Sequence, residues 1–253
     1  MIYITGDCHS NFAKFDKGLF PQQRDMTKDD FVIVVGDFGG VWYSADSPYY
    51  KQQEMTLDKL DSMPFTTLFI DGNHENFHLL NAYPVEEWKG GKIHRIRRSV
   101  YHLMRGEMFD LNGVKTFALG GASSHDVDDG IIDPETTPNW EEVSDMWSMQ
   151  GKMFRIKNVS WWEEELPSRE EFIHALETLD NNDYKCDLLL THCCSTSTQK
   201  IINPNLHSDF LTDFLEIIKK RLTYKKHYFG HYHMNKELPD NEFLIYEKIE
   251  HIF

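Results

Sequence analysis

An α/β layered domain is the fold class this sequence predicts, and two observations predict it. Short apolar runs recur along the chain, each closing in a polar cluster, and segments of helical periodicity stand between them. The runs are continuous rather than alternating, which suits strands buried on both faces. They are Ile2 to Ile4 before Gly6-Asp7-Cys8-His9, Phe31 to Val35 before Gly36-Asp37, and Thr67 to Ile70 before Asp71-Gly72-Asn73-His74. Two more follow late in the chain: Cys186 to Leu190 before Thr191-His192, and His227 to Phe229 before Gly230-His231-Tyr232-His233.

The intervening segments read as follows. Phe12, Phe15 and Leu19 have helical spacing after Asn11, a capping residue. Glu54, Leu57, Asp58 and Leu60 predict a second helix after Pro48. The stretches 93–104 and 108–121 read as antiparallel strands around Asp110-Leu111-Asn112-Gly113, where Asn-Gly signals a hairpin. Ser168 and Glu171 form a capping-box pattern that opens a helix over 168–180. Residues 208–222 repeat that scheme, with Phe210, Leu211, Phe214, Ile217, Ile218 and Leu222 as the apolar set. Phe243 to Ile249 reads as a last strand. Residues 122–167 break the rhythm and are read as an insertion beside the site, inside one domain spanning 1–253.

Composition narrows the function classes. The 253 residues are 40% apolar and 26% charged, an ordinary globular balance. No apolar run is long enough to cross a bilayer, so no membrane partner is expected. The formal net charge is −15, and phosphate neutralisation along a duplex needs clustered Lys and Arg, so long nucleic acid is not an expected partner. Cys8, Cys186, Cys193 and Cys194 form no CxxC pair, and reduced thiols in a cytoplasmic setting are expected. Oligomeric state has no signature here.

The thirteen histidines carry the chemistry. Five strand ends each deliver metal-competent groups, and in α/β sheets such sites gather beyond the carboxyl ends of strands. Asp7-Cys8-His9 and His231-Tyr232-His233 have period two, which puts both side chains of each pair on one face of an extended segment. Carboxylate, imidazole and amide oxygen suit Mn, Fe or Zn better than Ca.

In these motifs the chain resembles the calcineurin-like metallophosphoesterases. Their signature of Asp-x-His, Gly-Asp, Gly-Asn-His, a later His and Gly-His-x-His is matched in order by Asp7-Cys8-His9, Gly36-Asp37, Gly72-Asn73-His74, His192 and Gly230-His231-Tyr232-His233. The resemblance implies a four-layer α/β sandwich, mixed sheets flanked by helices, with a dinuclear site at the strand ends. It implies Asp7, His9 and His233 on one divalent ion, Asn73, His192 and His231 on the other, and Asp37 bridging them. Manganese is the first expectation, with iron or zinc as alternatives. The implied activity is hydrolysis of a phosphate ester by a hydroxide held between the ions, with His74 protonating the leaving oxygen. The alternative for His74 is a hydrogen-bonding role behind the ligands. The alternative for the whole chain is an inactive or weakly active relative that serves as a binding scaffold.

The sequence also departs from the family. Asp37 is followed by Phe38-Gly39-Gly40-Val41-Trp42, where the protein Ser/Thr phosphatases carry Asp-Arg. The Asp that orients the acid histidine and the phosphate-gripping Arg are both missing there. Candidates lie in the insertion, where Gly120 to Asp126, Arg155 and Ser160-Trp161-Trp162-Glu163-Glu164-Glu165 resemble segments of some bacterial and phage relatives. Arg155, His125 and Asp126 are the candidate substrate contacts; a surface Arg and a solvated loop pair are the plainer readings. Trp161 and Trp162 either stack on a ring of the substrate or pack. Substrate identity, and monoester against diester, stay open.

Overall fold

Strong β-formers in unbroken runs give the frame of the molecule, and the computed structural model describes all residues 1–253. In chain order the strands are β1 (Ile2–Thr5), β2 (Phe31–Val35), β3 (Thr66–Ile70), β4 (Val85–Trp88), β5 (Gly91–Arg97), β6 (Val100–Leu103), β7 (Glu107–Leu111), β8 (Val114–Leu119), β9 (Gly130–Ile132), β10 (Phe154–Ile156), β11 (Leu188–Thr191), β12 (Lys226–Phe229), β13 (Lys236–Leu238), β14 (Glu242–Leu244) and β15 (Glu250–His251). The helices are α1 (Tyr50–Asp61), α2 (Phe77–Leu80), α3 (Trp140–Met149), α4 (Arg169–Asp180), α5 (Thr196–Ile202) and α6 (Phe210–Arg221).

One sheet has the order β15-β1-β2-β3-β6-β5-β4 and the other β13-β14-β12-β11-β8-β7. Neighbours from β1 through β2 and β3 to β6 are parallel, as are β8, β11, β12 and β14. Antiparallel strands close the edges, so both sheets are mixed.

Side-chain alternation explains the layering. Ile2, Ile4, Ile33, Val35 and Ile70 point inward and share a core with Leu188, Leu190 and Tyr228 of the other sheet. The intervening Tyr3, Val32, Val34 and Phe69 point outward, onto Leu57 and Leu60 of α1. On the far side Phe117, Leu119 and Leu189 meet Ala175 and Leu179 of α4 and Leu211, Leu215 and Ile218 of α6. The result is helix, sheet, sheet, helix, the four layers expected. A fully buried Ile, Leu or Phe contributes roughly 1.5–3 kcal/mol, so these faces fix the strand register.

Several local expectations need correction. The segment after Asn11 forms only short 3-10 turns over Ala13–Phe15 and Pro21–Asp25, and Leu19 is exposed. Asn11 Oδ1 does accept the Ala13 amide at 3.1 Å, but as a turn and not as a helix cap. The regions 93–104 and 108–121 are not partners of one another. The first contributes parts of β5 and β6, a hairpin in one sheet, and the second parts of β7 and β8, a hairpin in the other. The Asn112-Gly113 turn is where the sequence put it, with φ of 57° and 88°. In α6 the buried apolar residues are Leu211, Leu215 and Ile218, while Phe210 and Ile217 face solvent. The tail pairs only over Glu242–Leu244 and Glu250–His251. The insertion holds α3, which buries none of its residues, and a two-stranded parallel sheet of β9 and β10.

Candidate dinuclear metal centre

Parallel pairing brings the carboxyl ends of β1, β2 and β3 to one rim, and those of β8, β11 and β12 to the facing rim. The chain must turn sharply there to aim side chains back over the sheet edge. His9, Asp37, His231 and His233 all adopt left-handed backbone, with φ of 46°, 48°, 70° and 48°. Such conformations cost about 1–3 kcal/mol each and persist only where surrounding bonds hold them. Some of those bonds are visible: the Cys8 and His9 amides both donate to the Asp37 carbonyl, at 2.9 and 2.8 Å. The His231 amide donates to Asp7 Oδ1 at 3.1 Å, and the His74 amide to Asp37 Oδ1 at 2.8 Å.

Close approach explains one glycine. A Cβ on Gly72 would lie 2.1 Å from Asp37 Oδ1 and 2.7 Å from His192 Nε2. The β3 turn therefore runs directly beneath the Asp37 and His192 side chains.

The donors converge. One ligand atom from each of Asp7, His9, Asp37 and His233 lies within 4.8 Å of all the others. His9 Nε2 is 3.7 Å from Asp37 Oδ2 and 3.1 Å from His233 Nε2. His233 Nε2 is 3.0 Å from Asp7 Oδ2, and His192 Nε2 is 3.3 Å from Asp37 Oδ1. The His192 and His231 rings lie 5.1 Å apart. His192 Nδ1 faces the Val35 carbonyl at 2.7 Å, an acceptor, so this nitrogen carries a proton and Nε2 is the one turned toward Asp37.

Three buried atoms of this cluster make no well-aligned hydrogen bond: Asp7 Oδ2 and His192 Nε2, whose nearest polar neighbours are the His233 imidazole and the Asp37 carboxylate, and Asn73 Oδ1. An unsatisfied buried polar atom costs about 1–3 kcal/mol. A cluster of oxygen and imidazole nitrogen donors, with orphaned lone pairs aimed inward, fits divalent cations.

Electrostatics agree. Burial would push the Asp37 carboxyl up, but the His192 imidazole beside it, with His74 and His9 behind, holds it well below the usual carboxylate range. Burial pushes the His74 and His9 imidazoles down, against the pull of Asp37. The thiols of Cys193 and Cys194 are pushed up by burial and stay inert, as packing residues should.

The structure places the insertion's candidates at the same rim. Arg155 Nη2 lies 3.4 Å from His74 Nδ1 and 3.5 Å from Nε2, and is ion-paired to Asp126. His125 Nε2 is 3.3 Å from His231 Nε2. Trp162 is buried against Trp42, a packing role, and the ring centroids are 5.4 Å apart.

Sequence reasoning missed four supports. Glu75 is fully buried and accepts the Phe38 and Gly39 amides at 2.7 and 3.1 Å, holding the turn after Asp37. Asp71 accepts from Arg105 Nε at 2.8 Å and stands 3.1 Å from His102 Nε2, whose ring meets His94. Ser124 and Glu165 bond to each other beside Asn73. Asp71 and Glu75 flank the Gly-Asn-His motif, the one signal that could have found them.

The calcineurin-like phosphoesterase family matches this chain over residues 1–235, and the chain belongs to it. Fold, donor set and membership together define the class: a metallophosphoesterase. Among curated proteins it is similar to lariat debranching enzyme A of Xenopus laevis, 27% identical over 49% of this chain and 24% of that one. The lariat debranching enzymes of Entamoeba histolytica and Danio rerio are 27% and 24% identical, over 47% and 62% of this chain and 35% and 28% of theirs. The chain thus spans about a quarter to a third of the length of these relatives. No helix is long and apolar enough to cross a membrane.

Proposed function

We propose that this protein hydrolyses phosphate esters at a two-ion centre. Asp7, His9 and His233 hold one ion, Asn73, His192 and His231 the other, and Asp37 bridges them. The observation that carries the reading is the convergence of Asp7, His9, Asp37 and His233, with His192 against Asp37 and His231 beside His192, and with three buried atoms left without a well-aligned hydrogen bond. When bound, a pair of divalent ions supplies an activated water nucleophile and neutralises charge growing on the phosphoryl oxygens. Manganese suits the donor set, and iron or zinc is also compatible with it.

The chain's own residues do the rest. His74 is the general acid for the leaving oxygen, standing beside the ligands with its ring 5.0 Å from that of His9. Arg155 presents a planar guanidinium to the phosphate, and Asp126 anchors it, replacing the Arg missing after Asp37. His125 faces the same space from the β8 loop. The substrate is a phosphate ester, and the likeness to lariat debranching enzymes gives the diester arm of any test equal standing with the monoester arm. The net charge of −15 disfavours long nucleic acid but not a nucleotide, which the ions and a local Arg would have to attract against the field of the whole molecule. A cytoplasmic setting, with one domain over 1–253, is part of the same reading.

The test is a panel of phosphopeptide, mononucleotide, cyclic nucleotide, p-nitrophenyl phosphate and bis-p-nitrophenyl phosphate, with manganese added and Asp37→Asn as the blank. Turnover that disappears in Asp37→Asn supports the reading. A two-ion protein that turns over none of these is the binding scaffold instead.

A further inference from the structure

The two ends of the Asn73 amide are nearly identical in shape, and only the oxygen can be a ligand. Something must decide which end faces the ions. We infer that Ser124 and Glu165 form a relay that locks the Asn73 amide with its oxygen toward the second ion, an inference that rests on the dinuclear reading above. Neither residue touches the ions; both act through Asn73 as positioning residues.

Hydrogen-bond direction carries the argument. The Ser124 hydroxyl has one hydrogen. It goes to Glu165 Oε2 at 2.6 Å, because a carboxylate only accepts. The other carboxylate oxygen, Oε1, takes the Ser124 backbone N–H at 2.9 Å, so the Glu165 side chain is gripped at both ends. The hydroxyl then has only lone pairs to offer Asn73. The amide atom facing it at 3.2 Å must therefore be Nδ2, a donor. Oδ1 is turned to the opposite side, buried and without a partner.

Glu165 comes from the Trp-Trp-acidic run of the insertion, and it is only 4% exposed. Its backbone carbonyl accepts the Ala122 amide at 3.1 Å, a second tie to the β8 loop. Ser123 Oγ donates to Asp209 Oδ2 at 2.6 Å, fixing the same loop from α6's N-terminal side. The insertion thereby braces the second ion's site through one serine. A merely structural brace would steady this loop without choosing between the ends of an amide.

That difference is measurable without turnover. Metal-free protein is titrated with Mn(II) by calorimetry, with metal analysis after equilibrium dialysis, for wild type, Ser124→Ala, Ser124→Thr and Glu165→Gln. In Glu165→Gln the Oε1 still takes the Ser124 amide, so the new NH2 faces Ser124 Oγ and donates to it. The hydroxyl hydrogen then turns to Asn73, and the amide rotates to accept it, offering nitrogen to the ion. The expected result is a second-ion Kd raised about 10–100-fold in Ser124→Ala and in the isosteric Glu165→Gln. The first ion's Kd and the melting temperature stay near wild type, and Ser124→Thr, which keeps the hydroxyl, binds both ions normally. Wild-type affinity for both ions in folded Glu165→Gln and Ser124→Ala overturns the relay. Equal weakening of both ions, or loss in Ser124→Thr, also overturns it, as general loosening of the loop. A wild-type protein that takes up fewer than two ions fails before any substitution is made, and that failure belongs to the dinuclear reading.

Discussion

Gly72→Ala is the smallest change that tests the architecture of the centre. The added methyl would lie 2.1 Å from Asp37 Oδ1, 2.5 Å from the Asp37 backbone nitrogen and 2.7 Å from His192 Nε2. Carbon does not approach such atoms within about 3 Å, so the Asp37 carboxylate must move by about 1 Å or the β3 turn must retreat. Retreat is opposed by the His74 amide, which is bonded to that same carboxylate oxygen at 2.8 Å. Overpacking at a filled site costs typically 1–3 kcal/mol of stability. A misplacement near 1 Å in a catalytic group costs about 10²-fold in rate. The assays are p-nitrophenyl phosphate turnover, metal content after dialysis and urea unfolding. We expect a folded protein with turnover down about 100-fold and at least one ion weakened. Wild-type turnover with two tightly held ions would refute the claim that Asp37 and His192 meet over Gly72.

Four other outcomes follow from the same geometry. His74→Ala should lower kcat about 10²–10⁴-fold while both ions stay bound, with a smaller loss for p-nitrophenyl than for alkyl phosphate; metal analysis showing an ion lost would sink the acid role. Arg155→Lys keeps the charge but loses the planar fork, so kcat/KM should fall about tenfold or more, and an unchanged value would return Arg155 to the surface. Arg105→Ala leaves Asp71 buried without its cation and should cost about 3–5 kcal/mol in denaturant unfolding, with metal binding weakened secondarily through Gly72. Burial would push Glu242 up, but His227, Thr198 and Lys219 hold it down at about 2, below its ordinary 4.5. Its stabilising contribution is therefore fully present above about 4.5 and lost as pH falls through about 2; Glu242→Gln should melt lower than wild type at pH 7 and lose less on acidification.

Much of the centre was legible because its chemistry is local. Asp7 and His9, His231 and His233, and the Gly-Asn-His run are each short segments at the end of a strand, and short apolar runs announce buried strands without help from the rest of the chain. The capping box of α4 was equally local, and Ser168 and Glu171 bond as the sequence proposed. Misjudged elements depended on distant partners. Leu19 and Phe210 have helical spacing, but no sheet face lies over them, so one segment stays in short turns and the other residue faces water. The pairing of 93–104 with 108–121 was misjudged for a related reason: β6 pairs with β3 in parallel, a contact that spans some thirty residues and leaves no mark in either strand.

What the amino-acid order determined by itself was the set of candidate metal-binding residues and the buried strands at whose ends they stand. Tertiary structure alone decided which residues stand behind the ligands. Ser124 and Glu165 lie in runs the sequence marks and Glu75 follows the Gly-Asn-His motif, but their partners are not legible there, since a serine or a carboxylate gains its role only from the atom placed within hydrogen-bond reach of it. That placement comes from packing two sheets and an insertion around one rim, and hydrogen bonds, unlike strand periodicity, have no period along the chain.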